Sequence, residues 1–304
     1  MAPQSRERTR NNDRRNERAQ AATRHIKEMD ARYAQDIKRS LAEVKTYEGM
    51  PAVKHEGCVP TVQVVDKDSV SMVLEQGRGL ASACDLALLD FASFTNPGGG
   101  YDRGAWAQEE ALCSESTLFS VLREQKAWYG QNRSRNINCQ LYRNRALVVP
   151  KVRFERDNYH SYADVLVVAA PNARRAREDY KVNDSTLAAS MRDRIRFALA
   201  IADELGHKKL ILGAFGCGVF GWDASVVAEL FREELASGTH VAEQVWFAVP
   251  GGRFDENLPR FEHAFAAFPQ ANNEAYVKPS EKPKPQVVEA DEDDDEEEDW
   301  RKYL

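Results

Sequence analysis

Two adjacent carboxylates, Glu109 and Glu110, follow a triple glycine, Gly98-Gly99-Gly100, and sit where a helix should begin. Carboxylates can accept hydrogen bonds from ligand hydroxyls or carry a proton during bond cleavage. Three glycines in a row let a backbone approach a bulky ligand closely and reach dihedrals closed to other residues. Consecutive helix residues point roughly 100° apart, so the pair is expected to aim at different atoms, one gripping while the other reacts. A helix N-terminus favours the ionised carboxylate and burial beside a ligand favours the protonated acid. A general acid at neutral pH needs the second effect to dominate.

The elements that must position these groups are legible around them. Asp85–Phe91 is a short, nearly continuous apolar run, the pattern of a strand covered on both faces. From Gln108 to Gln125, Ala111, Leu112, Glu115, Leu118, Phe119 and Leu122 recur at helical spacing, so a helix is predicted to open near Ala107. Strand, glycine loop, helix is a ligand-binding order in open α/β sheets. The order recurs downstream. Leu210–Phe215 reads as a strand, Gly216-Cys217-Gly218-Val219-Phe220-Gly221 as a glycine loop, and Val226, Val227, Leu230, Phe231 and Leu235 as an amphipathic helix. Loop amides ahead of a helix suit a diphosphate.

Gly216–Gly221 also spells the G-x-G-x-x-G dinucleotide fingerprint. A dehydrogenase reading fails on context, because the fingerprint is late in the chain and the acidic residue wanted at the end of the next strand is missing. Glu243 instead precedes the strand Val245–Val249.

The run Asp90-Phe91-Ala92-Ser93-Phe94-Thr95-Asn96-Pro97-Gly98-Gly99-Gly100, with Gln108-Glu109-Glu110 after a short spacer, resembles the signature of poly(ADP-ribose) glycohydrolases. The proline before the glycines and the Leu112-Cys113 continuation resemble the microbial-type branch. That resemblance implies a macrodomain fold and ADP-ribose as ligand. It makes Glu110 the catalytic acid, and Glu109 would bind the ribose beside the scissile bond. It assigns Gly216, Cys217, Gly218, Val219, Phe220 and Gly221 to the diphosphate, with Val219-Phe220 packing near the reacting ribose. Asp90, Ser93, Asn96, Gly98, Gly99, Gly100 and Gln108 complete the expected substrate-binding set. Where the microbial-type signature commonly has Asn before Phe-Ala-Ser, this chain has Asp90, which accepts hydrogen bonds but cannot donate when ionised. In order of elements the resemblance covers roughly 62–268, and its close matches are the two glycine loops and the glutamates.

Glycosidic cleavage passes through an oxocarbenium-like transition state and ordinarily uses two flanking carboxylates. Here Glu110 alone is expected to protonate the leaving oxygen, and the bound diphosphate would help position the water. The expected activity is hydrolysis of ribose-ribose bonds in poly(ADP-ribose) with release of ADP-ribose. Removal of single ADP-ribose units from proteins and non-catalytic ADP-ribose binding are the alternatives, and the intact Gln-Glu-Glu favours the enzyme.

Composition sets outer bounds. With 304 residues, 42% of them hydrophobic, the chain can bury a substantial core. Leu147–Val149, Asp164–Ala170 and Thr61–Val65 read as further strands, Ser185–Leu205 as a helix ended by Gly206, and Asp68 as a helix cap. The expected fold is α/β: a macrodomain-like three-layer α/β/α sandwich with a mixed, largely parallel sheet and an N-terminal helical extension. Expected boundaries are a basic, partly disordered start over 1–24, a catalytic domain over 25–272, and a disordered Pro/Lys linker and acidic tail over 273–304. The start holds seven arginines against three acids and reads as a partly frayed helix running toward Leu41 and Val44. Residues 278–304 hold five basic and eleven acidic side chains, a net of -6 that equals the whole chain's.

Five cysteines without C-x-x-C and six histidines without H-E-x-x-H indicate neither a disulfide framework nor a zinc site. No metal or cofactor is called for. Cys113 and Cys217 read as core or loop residues rather than nucleophiles. No apolar run is long enough to cross a bilayer and no signal peptide is evident, so a cytoplasmic or nuclear location is expected. The expected partners are poly(ADP-ribose) or ADP-ribosylated proteins, not a membrane or a specific nucleic-acid sequence.

Overall fold

The computed structural model describes residues 3–52, 56–252 and 255–278. Beyond Lys278, the expected linker and acidic tail lie outside the described residues. Seven strands are β1 (Lys45–Glu48), β2 (Thr61–Val65), β3 (Leu86–Phe91), β4 (Arg145–Arg156), β5 (Tyr159–Val168), β6 (Lys209–Leu212) and β7 (Gln244–Ala248). The helices are α1 (Pro3–Arg32), α2 (Ala34–Glu43), α3 (Ser69–Gln76), α4 (Gln108–Ser114), α5 (Leu118–Leu122), α6 (Lys126–Arg135), α7 (Ala173–Tyr180), α8 (Asp184–Glu204), α9 (Ala224–Ala236) and α10 (Asn257–Phe265).

One sheet runs in the order β1-β4-β5-β3-β6-β7-β2. From β5 to β2 neighbouring strands are parallel, while β4 is antiparallel to both β1 and β5. Side chains alternate faces along a strand, and the central strands are apolar on both. Ala87 and Leu89 of β3, with Leu166 and Val168 of β5, pack into a core that includes Ile195 and Phe197 of α8 and Phe231 of α9. Leu86, Leu88, Val165 and Val167 point the other way, into a core with Val73 of α3, Leu112 of α4 and Val121 of α5. The result is the expected mixed, largely parallel α/β/α sandwich.

Local signals explain several helix starts. Asp68 caps α3 by accepting from the Ser71 amide at 2.9 Å, and Asn183 caps α8 by accepting from the Thr186 amide at 2.9 Å. The single helix expected from Gln108 to Gln125 is broken into α4 and α5. At the break the Thr117 amide donates to the Arg153 carbonyl at 3.0 Å and the Glu155 amide to the Glu115 carbonyl at 2.9 Å. Hydrogen bonds to β4 thus replace helical ones, an exchange that apolar periodicity cannot reveal. At the start of the chain α1 ends at Arg32, and a separate α2 continues to Glu43. Ala22, Ile26 and Met29, spaced by four and three, bury one face of α1.

Below α9, His240 lies 2.7 Å from Asp203 and 3.4 Å from Glu234. Burial opposes its charge, but the two carboxylates outweigh burial and raise its pKa to about 9. Because the folded value exceeds the unfolded one, the stability this ion cluster adds is fully present below about pH 6.5 and is lost as pH rises through about 9. His240→Gln should therefore cost about 2 kcal/mol at neutral pH, with the deficit shrinking in alkali. Thermal unfolding of both proteins across that pH range checks this.

Candidate active site

β3 and β6 are adjacent and parallel, so the two glycine loops leave the same edge of the sheet side by side. Their pairing covers only Leu86–Leu88 of β3. Past that point the strands diverge, and the side-chain amide of Gln108 takes over. Its Oε1 accepts from the Phe91 amide at 2.9 Å and its Nε2 donates to the Leu89 carbonyl at 3.0 Å. The first residue of α4 thereby completes the strand's free edge and fixes the helix against it.

With α4 so placed, its carboxylates close on the glycine loop. Glu109 Oε2 accepts from the Ser93 amide at 2.7 Å, and Glu110 Oε1 accepts from the Gly100 amide at 2.8 Å. The expectation that neighbouring carboxylates aim at different atoms holds for these two amides but fails at Gly99. Its φ is +60°, and a Cβ there would lie 2.3 Å from Glu110 Oε1 and 3.0 Å from Glu109 Oε2. Both carboxyl groups bend over the same glycine, because two or more rotatable bonds undo the angular separation of their Cα–Cβ vectors.

The rest of the loop is braced from α6. Asn132 Nδ2 donates to the Phe94 carbonyl at 2.8 Å, and Arg133 donates to the Thr95 carbonyl at 2.9 Å and to Asn96 Oδ1 at 2.8 Å. Ser93 Oγ accepts from the Asn96 amide at 3.2 Å, which tightens the turn before Gly98.

Three carboxyl groups crowd this region. Glu109 is 3% exposed, Glu110 6%, and Asp90 0%. Asp90 lies beneath the loop with neither carboxyl oxygen hydrogen-bonded among the described residues. Burial and then the nearby Glu110 hold Asp90 well above the usual carboxylate range. Burial, followed by the charge of Asp90, raises Glu109 as well, against the opposing pull of the Ser93 and Gly98 amides. Burial thus favours the protonated form of Asp90. Burial also pushes the thiols of Cys113 and Cys217 up, which leaves neither activated as a thiolate nucleophile.

A cavity of about 630 Å³ opens between the two loops. Ser93, Asn96, Gly99 and the Gln108-Glu109-Glu110 run form one wall, and Gly216, Gly218, Val219 and Phe220 form the other. In the second loop the Cys217, Gly221 and Trp222 amides donate to the Ala214, Gly218 and Gly216 carbonyls at 3.0–3.2 Å. Those of Gly218, Val219 and Phe220 donate to no acceptor among the described residues. Gly98, Gly100, Cys217 and Gly221 shape the loops without lining the cavity, and Asp90 sits behind its wall. No group of three His, Cys, Asp or Glu among the described residues could hold a metal ion. None of the described helices is long and apolar enough to cross a membrane.

The family model described as microbial-type PARG, catalytic domain, matches residues 14–157, a span that contains the triple glycine, both glutamates and most of α1. Solved structures extend the likeness through the second loop. The poly(ADP-ribose) glycohydrolase (PARG) from Thermomonospora curvata is 28% identical, with a TM-score of 0.67 over 81% of this chain and 97% of its own. Residues 14–157 thus match a microbial-type PARG catalytic domain, and the solved PARG structures share the fold. The T. curvata enzyme bound to the inhibitor ADP-HPD is similar at 27% identity and a TM-score of 0.66, again over 81% and 97%. PARG from Deinococcus radiodurans in complex with ADP-ribose is 26% identical with a TM-score of 0.64, over 74% of this chain and 95% of that one. No curated protein sequence matches the chain.

The cavity also draws on residues that sequence reasoning passed over. Phe91, Trp106, Ser69, Val70, Asp255 and Asn257 all line the cavity. Phe91 was legible only as a strand residue, and Trp106 only as part of a spacer. Asp255 and Asn257 come from the loop after β7 and the start of α10; the Pro250-Gly251-Gly252 run before them marks a turn but not a ligand. Gln108 was expected to touch ligand, and its hydrogen bonds to β3 add a structural duty that no spacing could reveal.

Two substitutions probe the cluster. Gly99→Ala should remove activity and lower the melting temperature, since a left-handed backbone alone costs roughly 1–2 kcal/mol and the methyl group would strike both glutamates. Circular dichroism and an activity assay read the two effects. Asp90→Asn should leave stability near wild type at about pH 3, below the ordinary carboxylate pKa, and raise it at pH 8. A carboxyl whose folded pKa is raised contributes stability below its unfolded pKa and loses it as pH climbs through the folded value. Melting temperatures of the pair at both pH values test it.

Proposed function

We propose that this protein hydrolyses the ribose-ribose glycosidic bonds of poly(ADP-ribose), releasing ADP-ribose, with Glu110 as the acid. The observation that carries the reading is the placement of Glu110 in the cavity wall opposite a loop whose Gly218, Val219 and Phe220 amides are unclaimed by protein acceptors. Those amides suit the oxygens of a diphosphate. A diphosphate held there puts the attached ribose toward Gly99 and the glutamates. Phe220, which packs edge-on to Tyr142 at 6.3 Å, forms the floor that orients that ribose. The upward shift of the Asp90 carboxyl by burial limits negative charge in a site that must accept an anion.

Glu109, fixed by the Ser93 amide, grips the ribose through its hydroxyl groups. Glu110, fixed through Oε1 by the Gly100 amide, uses its other carboxyl oxygen to protonate the departing ribose oxygen. The C–O bond breaks as positive charge develops on the anomeric carbon, and the carboxylate so formed then removes a proton from the water that adds there. One side chain thus serves as acid and then base, with no second catalytic carboxylate. The supporting likenesses are to enzymes described as poly(ADP-ribose) glycohydrolases, one of them in complex with ADP-ribose. ADP-ribosylated proteins are the cellular partners this chemistry calls for.

Glu110→Gln keeps the hydrogen bond from Gly100 but removes the acid. It should lower kcat on polymer by about a thousandfold, within the usual span for general acid-base residues, while ADP-ribose binds within a few-fold of wild type. Chromatography of released ADP-ribose and calorimetric titration read the two quantities. Polymer turnover near wild type would refute the assignment. Parallel assays on mono-ADP-ribosylated protein separate polymer hydrolysis from removal of single units.

A further inference from the structure

The flank of the cavity beyond Glu110 is basic, and α1 makes it so. Arg15 Nε donates to the Arg103 carbonyl and Arg18 Nε to the Gly104 carbonyl, both at 2.9 Å. The contact is close: a Cβ on Gly104 would lie 1.9 Å from the Arg15 carbonyl oxygen. Arg103 in turn donates through Nη2 to the Gly99 carbonyl at 2.7 Å, so a guanidinium stands beside the glycine that both catalytic-site carboxylates cover. Arg14, one turn before Arg18, is exposed on the same helix. Asp102 pairs with Arg103 at 2.9 Å, and Asp13 and Glu17 are also exposed, but the arginines keep the patch positive. At the rim, Trp106 lines the cavity and is 41% exposed.

We infer that this surface, formed by Arg14, Arg15, Arg18, Arg103 and Trp106, is a subsite for the part of the polymer that lies beyond the scissile bond. The inference rests on the proposed glycohydrolase reading. If the terminal ADP-ribose fills the cavity with its reacting carbon at Glu110, the rest of the chain must leave past Gly99 and Gly100, where this surface begins. That departing chain offers two things the surface complements: diphosphates for the arginines and an adenine face for Trp106. Arginines along a backbone and an aromatic ring under a base are the ordinary means of holding a single-stranded nucleotide polymer. The α1 helix would thus raise affinity for chains without touching the unit being cleaved.

Equilibrium binding of fluorescent ADP-ribose oligomers to the Glu110→Gln protein tests this, since binding can be followed without turnover. A long oligomer should bind more tightly than ADP-ribose, and its affinity should fall more steeply with added salt. Arg14→Glu, at a residue that holds no loop carbonyl, should weaken the long oligomer about fivefold, the scale of exposed charge interactions, and leave ADP-ribose affinity unchanged. Trp106→Ala should also weaken the oligomer. Equal effects on oligomer and monomer, or no chain-length dependence, would overturn the subsite. Should Arg14→Glu unfold, the chain-length and salt series on the otherwise unaltered protein decide the question alone. Failure of the wild-type protein to release ADP-ribose from any oligomer would instead overturn the glycohydrolase reading, and the binding series would still report on the surface.

Discussion

The hydrogen bonds from loop amides to the α4 carboxylates are the constraint around which the site is arranged. Glu109 holds Ser93 and Glu110 holds Gly100, so the two ends of the turn that contains the triple glycine are tied to consecutive residues of one helix. Without those bonds a run of three glycines would be a poorly ordered tether. With them it is a rigid surface. The same carboxyl oxygens that fix the loop stand over Gly99, so loop order and acid placement are one property of the fold.

That arrangement concentrates negative charge, and the structure lowers its cost by burial. Asp90 is wholly enclosed and Glu109 nearly so. Each is therefore more easily protonated than a solvent-exposed acid, which limits mutual repulsion. Support comes from outside the cluster as well. The arms of Asn132 and Arg133 hold one side of the loop from α6, and α1 reaches the other side through Arg15 and Arg18. The domain model's match from residue 14 onward accords with a helix that abuts the site rather than merely preceding it.

Much of this could be read from the chain alone where local chemistry is decisive. The apolar run before Asp90, the glycines and the Asp68 cap each specify a conformation within a few residues, and β3, its loop and α3 follow. The layered fold was legible from alternating strands and helices. What escaped were features set by long-range partners. The break between α4 and α5 depends on β4, some 40 positions away. The convergence of Glu109 and Glu110 on Gly99 depends on side-chain torsions that no periodicity encodes. Trp106, Asp255 and Asn257 reach the cavity because of how distant loops meet, and the nearby Gly104 and Gly251-Gly252 signal turns without saying what those turns line.

The substitution of a side-chain amide for a strand partner has its own consequence. Past Leu88 the pairing of β3 with β6 ends, and Gln108 takes the place of a backbone partner on β3 while its Nε2 also lies 3.3 Å from Ser69 Oγ at the start of α3. One wall of the crevice is accordingly fixed by a single side chain that ties β3, α3 and α4 together. A change at that one position would therefore loosen three cavity-lining elements at once.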